Sequence, residues 1–489
     1  MSKNLGSNIT KLVFGRLGAQ VINLIGSLIL TRLFSPEVFG VRQIFVSIAA
    51  ILGLISCFRY DLSIPLGEND EKAGKNFVLS VILAFVFAIL VLIIIPLVKT
   101  SIALRYKAPE LNILLWFLPL AAFAIGFYNA LKYWVSYKNR FGSIAWAEFA
   151  LAFSVVIVAS AFGLTIGSQS IGLIVGYVVG WVCAFVMILL ILGKLLINDI
   201  RKSRITLSGL WLQAKIHKKF PIYNTWSALI NAIRGQLPPM ILGVFYSTTV
   251  VGYYSLGYRL IGLPTLVMAQ SVAQVFLPAA AESYRETGNM TDIMSNIFKR
   301  LVQIGVFPIA ALGILAPALF RIFGERWIEA GVYTSILSGY MLFEFIVSPI
   351  THSFLVSQSQ KKILIWECAF VSSRLVGLFL GAKIGGPRTA LACFGILNGV
   401  LYIILLFSLF SHNNVSFSWS IILLLKYIGL SVILLLPAGI FVWIYSNVFV
   451  VIINAGIGTI AYIYILYRLD LGLRKIVKAK LSGKFLNVV

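Results

Sequence analysis

The chain has 489 residues, 60% of them hydrophobic and only 11% charged, with 40 Lys and Arg against 16 Asp and Glu for a formal net charge of +24. In soluble domains about a quarter of residues are charged, so this composition excludes a soluble catalytic domain of any size. The positive charge does not point to nucleic acid, because it gathers between apolar runs as Lys and Arg do in the cytoplasmic loops of membrane proteins.

Crossing a bilayer takes roughly 20 mostly apolar residues, and about fourteen such runs follow one another: near 12–34, 38–66, 76–98, 111–136, 142–164, 171–196, 221–246, 250–280, 297–323, 332–356, 362–382, 388–411, 419–445 and 447–467. The expected class is an all-α polytopic membrane protein. With the N-terminus inside, most of the 40 basic residues fall on the cytoplasmic side. The largest cluster, Arg201 to Lys219, lies between spans six and seven, and the tail adds Arg474, Lys475, Lys478, Lys480 and Lys484. Both termini are therefore expected in the cytoplasm, with both clusters near anionic headgroups. Met1 to Lys11 leads into the first span without a small-residue cleavage pattern, so that span is expected to stay in the membrane. Cys57, Cys183, Cys368 and Cys393 are far apart within spans, which suits packing rather than a disulfide framework or a zinc cluster.

The first six spans recur about 212 positions later: Phe34-Ser35-Pro36-Glu37-Val38-Phe39-Gly40 aligns with Tyr246-Ser247-Thr248-Thr249-Val250-Val251-Gly252. Six is even, so both sets share one orientation and form parallel repeats, a design that places substrate near the midplane between halves. The expected organisation is a six-helix bundle over 1–210, a second over 211–412, and two further helices with a basic cytoplasmic tail over 413–489. Prolines fall inside several spans, and the pair Pro238-Pro239 is expected to interrupt span seven and serve as a hinge.

Charges inside spans need water or a partner. Arg16, Arg42, Arg59, Arg234 and Arg259 occupy the leading helices of the two repeats, and Lys132 joins Asn129, Tyr133, Trp134 and Tyr137 on span four. Together they form a candidate cationic cleft for an anionic substrate, since the planar guanidinium forks onto phosphate. Asp61, Glu148 and Glu344 are candidate proton or ion carriers, with neutralisation of arginines as the competing role. Glu367, Arg374 and Lys426 read instead as internally paired, such as Glu367 with Arg374 two turns along the same helix, or as snorkelling groups. No phosphate-binding loop, dinucleotide fingerprint or zinc motif occurs, and His217, His352 and His412 are widely spaced. No catalytic residue, metal or cofactor is therefore assigned, and transport has to draw on a gradient, the membrane potential or substrate supply.

Arg59-Tyr60-Asp61-Leu62-Ser63-Ile64-Pro65-Leu66 with the acidic stretch Glu68 to Glu71 resembles the second-span ending of Wzx-type polysaccharide flippases. Lys219-Phe220-Pro221, Gln236-Leu237-Pro238, Gly252-Tyr253-Tyr254, Tyr258 to Pro264, Gln274 to Pro278 and Phe323 to Gly331 are similar to that family in order and spacing, over nearly the whole chain. The resemblance implies the MATE-like fold of the multidrug/oligosaccharidyl-lipid/polysaccharide exporter superfamily: two six-helix bundles around a V-shaped cleft, plus two C-terminal helices. It further implies a bacterial inner-membrane flippase for undecaprenyl-pyrophosphate-linked oligosaccharide units of O-antigen, exopolysaccharide or a related polymer. Polysaccharide polymerase and chain-length proteins are the implied partners beside membrane lipids. A lipid II flippase, a multidrug/cation antiporter of the same fold and a membrane-embedded glycan polymerase are the alternatives.

Overall fold

The computed structural model describes the backbone of residues 2–357, 359–444 and 448–469. It describes side chains from Gly18 on, apart from 267, 270–271, 273–275, 360, 441–444, 448 and 469. All regular structure among these residues is helical, as a lipid environment demands of a chain that must satisfy its own backbone hydrogen bonds. Among the described residues, twelve helices are long and apolar enough to cross a membrane, against the fourteen runs expected. The first run contributes only Gly18–Leu33 to the described apolar helices, and the eighth is divided.

The chain forms two compact units, Met1–Ser255 and Leu256–Val489. The first begins with α1 (Ser2–Leu33) and α2 (Pro36–Ile55), which are separated by a tight turn. Ser35 caps α2 by accepting from the Val38 N–H, and Pro36 occupies the first turn, where its missing N–H is harmless. A 3₁₀ turn, Tyr60–Leu66, leads to α3 (Asp70–Arg105), which Asn69 caps by accepting from the Lys72 N–H. Then come a short α4 (Leu111–Leu114), α5 (Leu118–Tyr137), α6 (Phe141–Thr165), α7 (Ser170–Lys202), α8 (Leu207–Ile216) and α9 (Thr225–Phe245). Helix α6 lies between α1 and α7, while α2 packs on α5, α7 and α9. Gly172, Gly176 and Gly180 form a small-residue stripe that brings α7 to the backbone of α6, the packing that works where lipid removes any hydrophobic drive between helices.

Helix α10 (Thr248–Ile261) straddles the boundary between the units. The second unit continues with α11 (Gln270–Thr287), α12 (Thr291–Leu319), α13 (Ile328–Ile350), a short α14 (Ser353–Val356), α15 (Gln360–Ile384), α16 (Pro387–His412), α17 (Phe417–Ile444) and α18 (Val448–Leu469). Gly377 and Gly381 seat α15 against the α16 backbone at Ala390 and Phe394. Helices α17 and α18 both pack on α12. There the Tyr462 hydroxyl donates to the Gln303 carbonyl at 2.7 Å, and the Gln303 amide donates to Tyr427 at 2.9 Å.

The irregular turns do not fall where the double proline suggested. Helix α9 runs through Pro238 and Pro239 without a break, and both are buried. The π-helical turns lie at Phe220–Asn224, which contains Pro221, and at Thr265–Ala269, which follows Pro264. Pro264 lacks an N–H and disfavours helical geometry at Leu263, so α10 stops at Ile261 and span eight becomes two helices.

The aligned turns of the two repeats meet each other within the first unit. Gly40 lies against the Thr248 carbonyl, and Gly252 against the Pro36 carbonyl. Shifting Pro36 and Gly40 by the repeat offset gives Thr248 and Gly252, so each copy offers a glycine to the other's carbonyl. Such reciprocity is the signature of a two-fold contact.

Candidate functional site

The predicted cations separate into groups with different surroundings. Arg16 falls on α1, but its side chain is outside the described residues. Arg42 projects from α2 toward α7, its guanidinium 6.0 Å from the Tyr177 ring centre, with Nε buried and without a hydrogen-bond partner among the described residues. Arg234 on α9 and Arg259 on α10 are both half-buried.

Three other predicted residues converge. Phe58 and Arg59 adopt left-handed backbone angles, with φ of 47° and 59°, conformations that cost a non-glycine residue about 1 kcal/mol or more. That bend begins the Tyr60–Leu66 turn and brings the Arg59 guanidinium 3.6 Å from the Asp61 carboxylate. Asp61 is 1% exposed, and its Oδ1 has no hydrogen-bond partner among the described residues. Burial pushes the Asp61 carboxyl above the usual carboxylate range, opposed by Arg59 and by Lys132 arriving from α5. Arg59 and Lys132 therefore serve first as counter-charges to Asp61. The sequence had placed these residues in separate roles, and the fold makes them one cluster.

Of the other carboxylates, Glu148 is half-buried on α6. Glu344 on α13 accepts from the Tyr402 hydroxyl of α16 at 3.0 Å and lies 3.7 Å from Arg374 of α15. Arg374, 2% exposed, also faces the Phe394 ring at 5.8 Å. Internal pairing, expected for Arg374, thus reaches across to a neighbouring helix. Lys426 is exposed and stands over Tyr427.

The sequence reading missed a polar clamp at one end of the first unit. Lys138, just past α5, binds Asp70 at 2.8 Å and Asp199 at 2.9 Å, joining the start of α3 to the last turn of α7. Tyr137 adds a bond to Asp70 at 3.1 Å. The signal that could have found the clamp is Asp199 itself, an acid two residues before the Arg201-Lys202 pair, though nothing local names its partner. Beside it, Asn76 donates to the Ser63 carbonyl at 2.9 Å, and its amide lies 3.4 Å from His217 Nε2 at the end of α8.

That last contact sets a pH dependence. Burial holds the His217 pKa below its ordinary value, and Nε2 can accept from Asn76 only when unprotonated. The folded form therefore favours the neutral ring, so the contribution is present above the unfolded pKa near 6.5 and is lost as pH falls. Thermal unfolding of wild type should weaken between pH 7.5 and 5.5 by more than that of His217→Gln; parallel curves would rule the contact out as a contributor.

The profile of the polysaccharide biosynthesis protein family matches residues 29–332. Teichuronic acid biosynthesis protein TuaB of Bacillus subtilis is 21% identical over 187 residues, and the match spans 38% of this chain and 38% of that relative's length. Among solved structures, the lipid II flippase MurJ in an inward closed conformation superposes with a TM-score of 0.72 at 15% identity, over 94% of this chain and 98% of that one. An inward-facing multidrug resistance MATE family transporter of the MOP superfamily gives 0.64 at 17% identity, over 81% and 94%. At such identities the likeness is one of fold alone, a MurJ- and MATE-like helical membrane fold.

Proposed function

Because the chain belongs to the polysaccharide biosynthesis protein family, we propose that it is a Wzx-type flippase, carrying undecaprenyl-pyrophosphate-linked oligosaccharide from the cytoplasmic to the outer leaflet without ATP hydrolysis. The observation that carries this reading is family membership joined to a fold shared with a lipid II flippase over 94% of the chain. The substrate would be a glycan on a diphosphate lipid, delivered for polymerisation outside. Moving each negative charge outward through an inside-negative potential releases roughly 2.3 kcal/mol per 100 mV, so the diphosphate itself supplies a driving force.

Arg16 and Arg234 in the first unit and Arg259 in the second are each proposed as phosphate ligands on their chemistry, since the planar guanidinium forks onto phosphate. Asp61 is the favoured proton carrier, because its carboxylate is almost fully buried and its Oδ1 has no hydrogen-bond partner among the described residues. Lipid II transport is the second reading, favoured by the MurJ likeness.

The test is translocation of undecaprenyl-pyrophosphate-linked oligosaccharide in proteoliposomes with and without an imposed potential. Wild type is expected to move it faster under an inside-negative potential, and Arg234→Ala to lose roughly tenfold or more, the scale of one charge-assisted phosphate contact. Unchanged rates in Arg234→Ala would remove that residue from the site. Movement of lipid II alone would establish the second reading, and movement of neither would return the chain to the antiporter class.

A further inference from the structure

Helix α7 ends at Lys202, and the next apolar helical segment begins at Phe220. The stretch between two membrane spans is short, and α8 fills most of it, so α8 is held close to the membrane surface at both ends. One of its faces is fixed to the protein. Leu210 and Gln213 are buried, and Leu210 packs with Tyr60 and Leu79. The Tyr60 hydroxyl donates to the Ala214 carbonyl at 3.1 Å, and the Thr206 hydroxyl caps the first turn by accepting from the Gly209 N–H at 3.1 Å.

The rest of the helix presents apolar side chains with no protein over them. Leu207 is 87% exposed, Trp211 64%, and Leu212 and Ile216 56% each. Around them stand Arg201, Lys202, Arg204, Lys215, Lys218 and Lys219, all exposed. No carboxylate occurs anywhere from Ile200 to Ala281. A water-facing surface helix normally mixes both signs of charge to stay soluble. Here Glu71 and Asp70 of α3 act on Arg204 and Lys202, but Lys215, Lys218 and Lys219 border the exposed Leu and Trp in a segment without carboxylates, the composition of a helix lying in the interface of an anionic bilayer. Lys215 is arranged for that setting, its ammonium 5.7 Å from the Trp211 ring centre.

We propose that α8 is a docking platform for anionic lipid headgroups. Its apolar side chains enter the acyl boundary, and the flanking cations bind lipid phosphates. Since α8 is bonded through Tyr60 to the Tyr60–Leu66 turn, the lipid surface also braces the bend that carries Arg59 and Asp61. The proposal is independent of which glycan is transported.

It is tested on the delipidated full chain in neutral detergent by native mass spectrometry, titrating phosphatidylglycerol or phosphatidylcholine with the same acyl chains. Wild type is expected to retain phosphatidylglycerol in preference to phosphatidylcholine by roughly tenfold or more, from several cations each acting on the lipid charge. Lys215→Ser/Lys218→Ser/Lys219→Ser should bring the preference close to parity. Leu207→Ser/Trp211→Ser should weaken retention of both lipids alike. If the triple variant does not fold, the single reversals Lys215→Glu and Lys218→Glu carry the test, each expected to lower the preference severalfold. Equal retention of both lipids by wild type, or a preference that survives the charge variants, overturns the proposal and leaves this face to a protein partner.

Discussion

Arg374→Met is expected to destabilise the protein by about 3–5 kcal/mol, the scale of removing one partner from a buried ion pair. The loss comes less from the missing attraction than from what remains: Glu344, with Oε2 buried and without a hydrogen-bond partner among the described residues, would lose its arginine and keep the Tyr402 hydroxyl. Glu344→Gln/Arg374→Met should therefore recover part of the loss, because the Glu344 charge that faced Arg374 is removed with it. Tyr402→Phe removes one hydrogen bond to a charged acceptor and should cost less, about 1.5–3 kcal/mol. Thermal unfolding of the purified protein in detergent reads all three. The competing role for Arg374, as a substrate cation, predicts the opposite pattern: a stable Arg374→Met that folds normally and fails only in transport.

This cluster also shows where sequence reading reached its limit. Arg374 and Glu344 were each visible as charges in apolar runs, and the physics of burial required each to have a partner. Spacing along one helix named Glu367 for Arg374, but it could not name Glu344, because α13 and α15 are brought together by packing rather than by spacing along the chain. The same holds for Asp61. Its adjacency to Arg59 was local and legible, while the approach of Lys132 from α5 depends on how α5 packs against the Tyr60–Leu66 turn.

Helix existence was the most legible layer, since apolar length is a strong signal. The failures came at breakers. Pro264 divided a run that hydropathy alone had joined, because the lost N–H and the restriction on Leu263 act on backbone geometry and not on polarity. Pro238 and Pro239, the more conspicuous pair, are carried inside a continuous α9. Tolerance of this kind arises where neighbouring helices or side chains take up the freed carbonyls. The irregular turns instead fall at Pro221 and just after Pro264, and π-helical turns are often found at functional sites.

Gly40→Ala and Gly252→Ala are expected to cost about 1–3 kcal/mol each, the usual range for overpacking. In both cases the added methyl meets a carbonyl oxygen of the opposing helix, and backbone cannot step aside as a flexible side chain can. Helix α2 and the start of α10 must then separate as whole elements. That makes the two substitutions interdependent. Once one methyl has forced the crossing apart, the second finds room already made, so Gly40→Ala/Gly252→Ala should cost clearly less than the sum of the singles. If the glycines were instead chosen only for helix flexibility, each alanine would raise helix propensity and stabilise by up to about 1 kcal/mol. Thermal unfolding therefore separates the two explanations by sign. The double variant adds a further check, because independent local effects would add and a shared crossing would not. The reciprocal placement of Gly40 on the Thr248 carbonyl and Gly252 on the Pro36 carbonyl ties both substitutions to one contact, and it is this contact that turns a weak sequence repeat into a physical constraint on the fold.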